Sequence, residues 1–240
     1  MLTLEFIRSI KNRTFLYLFF TMIFAYALGY ILPVGIDKVN HLSLGYFYFS
    51  TYTVLTQFGF LLSSFVIVYC FNRDFSEQTV LFYRCQEISL LRYFYSKILV
   101  LLVEFIVSLV ICQLVVSLLL GYSSTLTWES FFLYLFVILQ YLLIISTCSI
   151  LLANLLMAIG ASLFYWIATI ILVNIGGIFK WLAPFDASNS LYSLVEKSFD
   201  HNSWLHNSAI FPLFIYLIVL AVISLGLLLI SRKRWLINGL

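Results

Sequence analysis

Between Glu129 and Lys180 the chain runs for fifty residues without one charged side chain. As a single helix at ~1.5 Å per residue that stretch would extend about 75 Å, more than twice a hydrocarbon core of ~30 Å. It must turn back on itself, and the spacing places the break near Asn154, with spans of roughly 131–152 and 156–179. Four more runs are long enough to cross a bilayer: Thr14–Leu32, about Phe47–Phe71, Ile98–Leu120 and Ile210–Ile230. The last has Pro212 near its start, where a missing N–H costs little. The sequence therefore predicts an all-α polytopic membrane protein with six transmembrane helices, covering residues 14–230.

Composition agrees with that count. Hydrophobic residues make up 63% of the 240 and charged residues 10%, with a mean hydropathy of +1.08. A soluble domain carries about 25% charged residues, so a cytosolic globular enzyme is excluded. The net charge of +3 is too small for a nucleic-acid footprint and is grouped around spans. With the N-terminus inside, Arg8, Lys11, Arg13, Arg73, Arg84, Arg92, Lys97 and Arg232–Arg234 are cytoplasmic, leaving Lys38, Lys180 and Lys197 outside. That distribution obeys the positive-inside rule, and predicts both termini in the cytoplasm with a basic tail at 231–240. Five spans would move Arg232–Arg234 to the exterior. In residues 1–13, Leu2, Phe6, Ile7 and Ile10 share a face opposite Glu5, Arg8, Ser9 and Asn12, the pattern of an interfacial helix.

Motifs for chemistry within the chain are sparse. No glycine precedes a lysine, so no phosphate-binding P-loop exists. Gly160-Ala161-Ser162 has the look of a nucleophile site, but His41, His201 and His206 all lie between spans and leave that serine no base. Small residues allowing close helix packing explain it better. Cys70, Cys85, Cys112 and Cys148 show no paired spacing and read as small buried hydrophobes. His201 and His206 give only a weak metal signal.

Three polar features stand out. Glu104 lies inside the third span, where a carboxylate costs ~2.5–3.5 kcal/mol on insertion scales; it is either functional or a packing residue near the membrane boundary. Thr53, Thr56 and Gln57, with Ser63 and Ser64, put polar groups in the second span. They serve as interhelical glue or as the lining of a polar path. Residues 72–97 combine four bases and three acids with aromatics, and form either a docking surface for a soluble partner or a solvated loop.

The arrangement resembles the permease subunits of ABC-2 type ABC transporters: six spans, an N-terminal interfacial helix and a separate ATPase. The likeness is sharpest after the second span, where Asp74, Glu77, Thr79, Val80, Leu81, Ser89 and Lys97 follow the family order. Gln78 replaces the usual Gly, and Leu90 the usual Arg, with Arg92 nearby; Pro184 and the basic end Arg232–Arg234 also fit. The resemblance implies that Asp74, Glu77, Thr79, Arg84, Glu87, Arg92 and Lys97 couple to the ATPase, which would hold ATP and Mg while this subunit needs no cofactor. It implies a second permease subunit, a pathway touching Thr53, Thr56, Gln57 and Glu104, and a short re-entrant element at 181–209. It also implies residence in a bacterial plasma membrane. Size resembles small permeases that export, or protect against, antimicrobial and lantibiotic-like peptides. Aromatic spans with few fixed charges suit an amphipathic, cationic peptide; lipid-linked cargo, a secondary transporter and a non-transporting immunity or scaffold protein are the alternatives.

Overall fold

The computed structural model describes residues 2–36, 38, 42–152 and 154–238, with side chains except at Arg84 and 232–238. His41, the Arg84 side chain and the side chains of Arg232–Arg234 thus lie outside the described residues. Six helices are long and apolar enough to cross a membrane. The first is α2 (Thr14–Gly35), preceded by α1 (Leu2–Lys11). The second is one rod made of α3 (Leu44–Val54), a π-turn (Leu55–Gly59) and α4 (Phe60–Ser76). After the short α5 (Thr79–Cys85) come α6 (Leu90–Leu120), α7 (Ser124–Leu151) and α8 (Leu155–Ile175). A 3-10 segment (Gly177–Leu182) and α9 (Ser190–Asp200) precede the last span, α10 (Asn207–Asn238).

Helix starts follow from side-chain caps, which satisfy otherwise orphaned N–H groups. Ser43 accepts from the Tyr46 amide and Ser89 from the Arg92 amide. At the break in the uncharged stretch, Asn154 accepts from both Leu156 and Met157, starting α8. The capped spans outrun their apolar cores: the third begins at Leu90 instead of Ile98, because its first two turns bury Tyr93, Phe94 and Lys97.

The most buried span is α7, packed by α3, α4, α6, α8 and α10, while α2, α8 and α10 turn most of their surface outward. Two α7 tyrosines, two turns apart, bind carbonyls two turns apart on the second span. Tyr134 donates to Tyr48 O at 2.7 Å and Tyr141 donates to Leu55 O. The second bond falls at the π-turn, whose wider winding disturbs the regular carbonyl ladder. Gln113 Nε2 donates to Ser130 Oγ at 3.0 Å, and Thr147 pairs with Ser224 at 2.7 Å, tying α7 to α6 and α10.

Close helix approach is made by glycines other than the expected one. Gly160 faces open space, so it does not serve tight packing within the chain. The least covered span needs no small residue there. Gly29 on α2 meets Thr51 on α3, and Gly45 meets the Phe199 carbonyl of α9; a Cβ at either would lie 2.2 Å from an oxygen.

Candidate functional site: a charge clasp at the terminal face

Helix α1 turns its apolar side chains away from the protein and its polar ones inward. Leu2, Leu4, Phe6, Ile7 and Ile10 face outward, whereas Glu5 and Ser9 are buried against the protein. A lipid boundary accepts the apolar face, and the polar face needs protein partners. It finds them in α4, α5 and α6.

Arg8 is the keystone. Its guanidinium reaches Asp74 at 2.7 Å and Glu77 at 3.0 Å, and donates to Thr79 Oγ1 at 2.9 Å. Burial works most strongly against the Arg8 charge, but Asp74, Tyr83 and Glu5 together outweigh it and lift the pKa above its ordinary value. Asp74 is buried and shared: its other oxygen pairs with Lys97 and accepts from Tyr93 at 2.8 Å. Lys97 also donates to the Cys70 carbonyl at 2.6 Å and sits over the Phe71 and Tyr93 rings. A second tie runs from Tyr83 on α5 to Glu5 on α1. Burial first, and then Glu5, push the Tyr83 phenol well up, keeping it a protonated donor. Nearer solvent, Arg73 binds Glu77 at 2.5 Å and holds its carboxyl below the usual range.

Asp74, Glu77, Thr79 and Lys97 therefore converge on one cluster with Arg8. Asp74 and Lys97 are interior, so they fix elements to one another and cannot meet an external protein. Glu87 and Arg92 stand apart from the cluster and exposed, together with Leu81 and Phe82 on the outer side of α5. Val80 and Tyr83, on the inner side, are buried. The terminal face thus has an ionic interior clasp and an apolar outer knob. Arg8 was visible in the sequence only as one base on a polar helix face.

The family model of the YydJ peptide export permeases, which are ABC-2 type permeases, matches residues 2–240. The chain belongs to that family. It is 39% identical over 239 residues, 99% of both chains, to the probable peptide export permease protein YydJ of Bacillus subtilis strain 168. No solved structure matches it.

Elsewhere in this permease, the second-span polar set is used locally. Thr53 Oγ1 pairs with Tyr192 of α9 at 2.6 Å, and Thr56 donates back to Thr53 O at 3.0 Å. Gln57 lies in the π-turn, half-buried. Glu104 is buried on α6; Ser9 of α1 is its polar neighbour, and neither carboxylate oxygen completes a hydrogen bond. A second interior carboxylate, Glu129 at the start of α7, accepts from the Leu205 amide at 3.0 Å and anchors the segment after α9. Sequence reading treated Glu129 only as a span boundary.

Proposed function

We propose that this permease is the membrane subunit of an ATP-driven peptide exporter, with ATP and Mg held by a separate ATPase on the cytoplasmic side. A second permease subunit would complete the pathway, and both termini and residues 72–97 would be cytoplasmic, in a bacterial plasma membrane. The single observation that carries this reading is the clasp. Arg8 joins α1, the end of α4 and the start of α5 through one buried network. Lys97 extends it into α6. A force applied at α5 would reach α1 and the second and third spans without first deforming an exposed loop, which suits a subunit that receives work from outside itself. Leu81, Phe82, Glu87 and Arg92, with Arg84, would form the contact with the ATPase, while Asp74, Glu77, Thr79 and Lys97 would transmit it. Thr53, Thr56, Gln57 and Glu104 would border the path. The peptide cargo follows the name of the Bacillus relative, and the aromatic, charge-poor spans suit an amphipathic cationic one.

Co-expression and co-purification with a candidate P-loop ATPase tests the reading. Phe82→Asp is expected to lose the ATPase while the permease still inserts and melts like wild type, since Phe82 is exposed. Full retention by Phe82→Asp and by Glu87→Lys would place the contact elsewhere. A permease that moves peptide with no ATPase present would overturn the ATP-driven reading.

A further inference from the structure

A groove runs along the outside of the bundle between α2 and α6, toward the end away from the clasp. Ile23 and Tyr30 of α2 and Val115 and Leu119 of α6 are exposed and form its rim. Tyr26, Cys112 and Phe47 of α3 line it too but are buried, and form its floor. These side chains are aliphatic, aromatic or thiol, without a charge among them. From Phe19 to Tyr30 the α2 wall measures about 16 Å, close to half of a ~30 Å hydrocarbon core. On α6 the groove reaches Leu120, the last residue of the helix. Its volume is ≈ 530 Å³, or ≈ 1080 Å³ with the open space at its mouth.

Size and polarity decide the occupant. Even the larger volume, spread over that length, gives a cross-section of about 65 Å², below the ~80 Å² of a slim helix about 10 Å across. A helix of a second copy therefore does not fit between the walls. Water needs several polar partners, and the hydroxyl on the floor, that of Tyr26, is itself closed off. An extended peptide would bring an N–H and a C=O with every residue to walls that answer almost none of them, and unsatisfied backbone is costly at membrane depth.

A flexible hydrocarbon chain has the right shape. Both walls belong to membrane-spanning helices, so the bilayer supplies one. We propose that the groove is a binding site for an acyl chain of a phospholipid, drawn from the leaflet opposite the clasp. Lipid tails are as apolar as the helices they touch, so no hydrophobic gain favours this position over another. The gain is one of shape: a seated chain touches protein on both sides and below, and restores the dispersion contacts that an empty groove forfeits. It acts as a wedge that keeps α2 and α6 at their separation. The assignment depends neither on export nor on an ATPase.

The test uses the purified full-length permease in nanodiscs of phosphatidylethanolamine and phosphatidylglycerol, doped with a phosphatidylglycerol that carries a diazirine midway along one acyl chain. After illumination, adducts are mapped by peptide mass spectrometry. Adducts per exposed residue in 19–30 and 111–120 are expected to exceed those on α8 and α10, the other outward-facing spans, by roughly fivefold, equivalent to about 1 kcal/mol. Ala27→Trp fills the groove from an exposed position and should abolish the excess while leaving α8 and α10 adducts unchanged. Val115→Phe, also at an exposed site, should reduce it and serves if the first variant fails to fold. Leu118→Trp, 85% exposed and off the groove face, should leave it intact. Adducts no denser in the groove than on α8 and α10 would mean ordinary wetting by surrounding lipid. An excess that both filling variants retain would place the chain elsewhere. An excess lost in nanodiscs that hold two permeases would give the groove to a second copy, and one lost on adding an amphipathic cationic peptide would give it to cargo. Each of these four results overturns the proposal.

Discussion

The two faces of the bundle are held by opposite chemistry. At the terminal face, α1, α4, α5 and α6 meet through Arg8, Asp74 and Lys97, with Asp74 and Lys97 buried and Arg8 half-buried. At the opposite face, α9 is held to α3 by shape and neutral groups: Gly45 against the Phe199 carbonyl, Thr53 against Tyr192, and Leu191, Val195 and Phe199 buried. A buried ion pair is a poor source of net stability, yet removing one partner is severe, because the other charge is stranded. Close neutral packing is tolerant of salt and pH and intolerant of added volume. The ionic face therefore responds to a change in its partners, while the packed face keeps its geometry.

Breaking the ionic side gives the largest expected effect. Asp74→Ala strands Lys97, leaves Arg8 with Glu77 alone, and should cost about 3–5 kcal/mol, read as a lower melting temperature in nanodiscs. Asp74→Leu combined with Lys97→Met should recover most of that loss, although Arg8 would still lack one anion. If the double variant melts no higher than Asp74→Ala, the charge of Lys97 is not what Asp74 compensates.

The packed side should break by volume. Gly45→Ala would set a Cβ 2.2 Å from the Phe199 oxygen, forcing α9 away at a cost of about 1–3 kcal/mol. Faster hydrogen exchange confined to 190–200 is the expected signature, with the terminal face unchanged. Exchange spreading equally to α1 would show that the two faces are not separable.

Much of this architecture is legible in the sequence. Uncharged runs fix the spans because lipid leaves no alternative to a closed helical ladder, and Asn154 marks the turn because its side chain can cap a helix start. Asp74, Glu77, Thr79 and Lys97 are legible as a group. Their partner Arg8 is not, since it lies 66 residues before Asp74 and only the docking of α1 joins them. The π-turn at Leu55–Gly59 carries no residue signature. It is stabilised from outside by Tyr141, and neither sequence alone implies the pairing. Gly160 misled for the same reason: a small residue permits close approach but does not say which helix is there.

Tyr141→Phe sharpens the contrast at an intermediate level, being neutral yet directional. Losing its hydroxyl leaves the buried Leu55 carbonyl without that donor, at about 1–3 kcal/mol, with exchange rising first at the π-turn. The smallest effect is electrostatic and exposed. Glu77, lowered by its bond to Arg73, favours the folded loop when ionised. Its contribution is present above the unfolded value of about 4.3 and fades as pH falls through the lower folded value. Amide exchange around Gln78 and Thr79 should therefore speed up on acidification in wild type, and should be nearly pH-independent, after correction for intrinsic rates, in Glu77→Gln.

The clasp as transmitter is tested most directly by the ratio of peptide exported to ATP hydrolysed, in proteoliposomes containing the permease and its ATPase. Arg8→Gln keeps a polar side chain on α1 but removes the charge that joins Asp74 and Glu77. The account predicts that ATPase binding and hydrolysis persist while peptide export per ATP falls at least tenfold. Wild-type export per ATP in Arg8→Gln would contradict it.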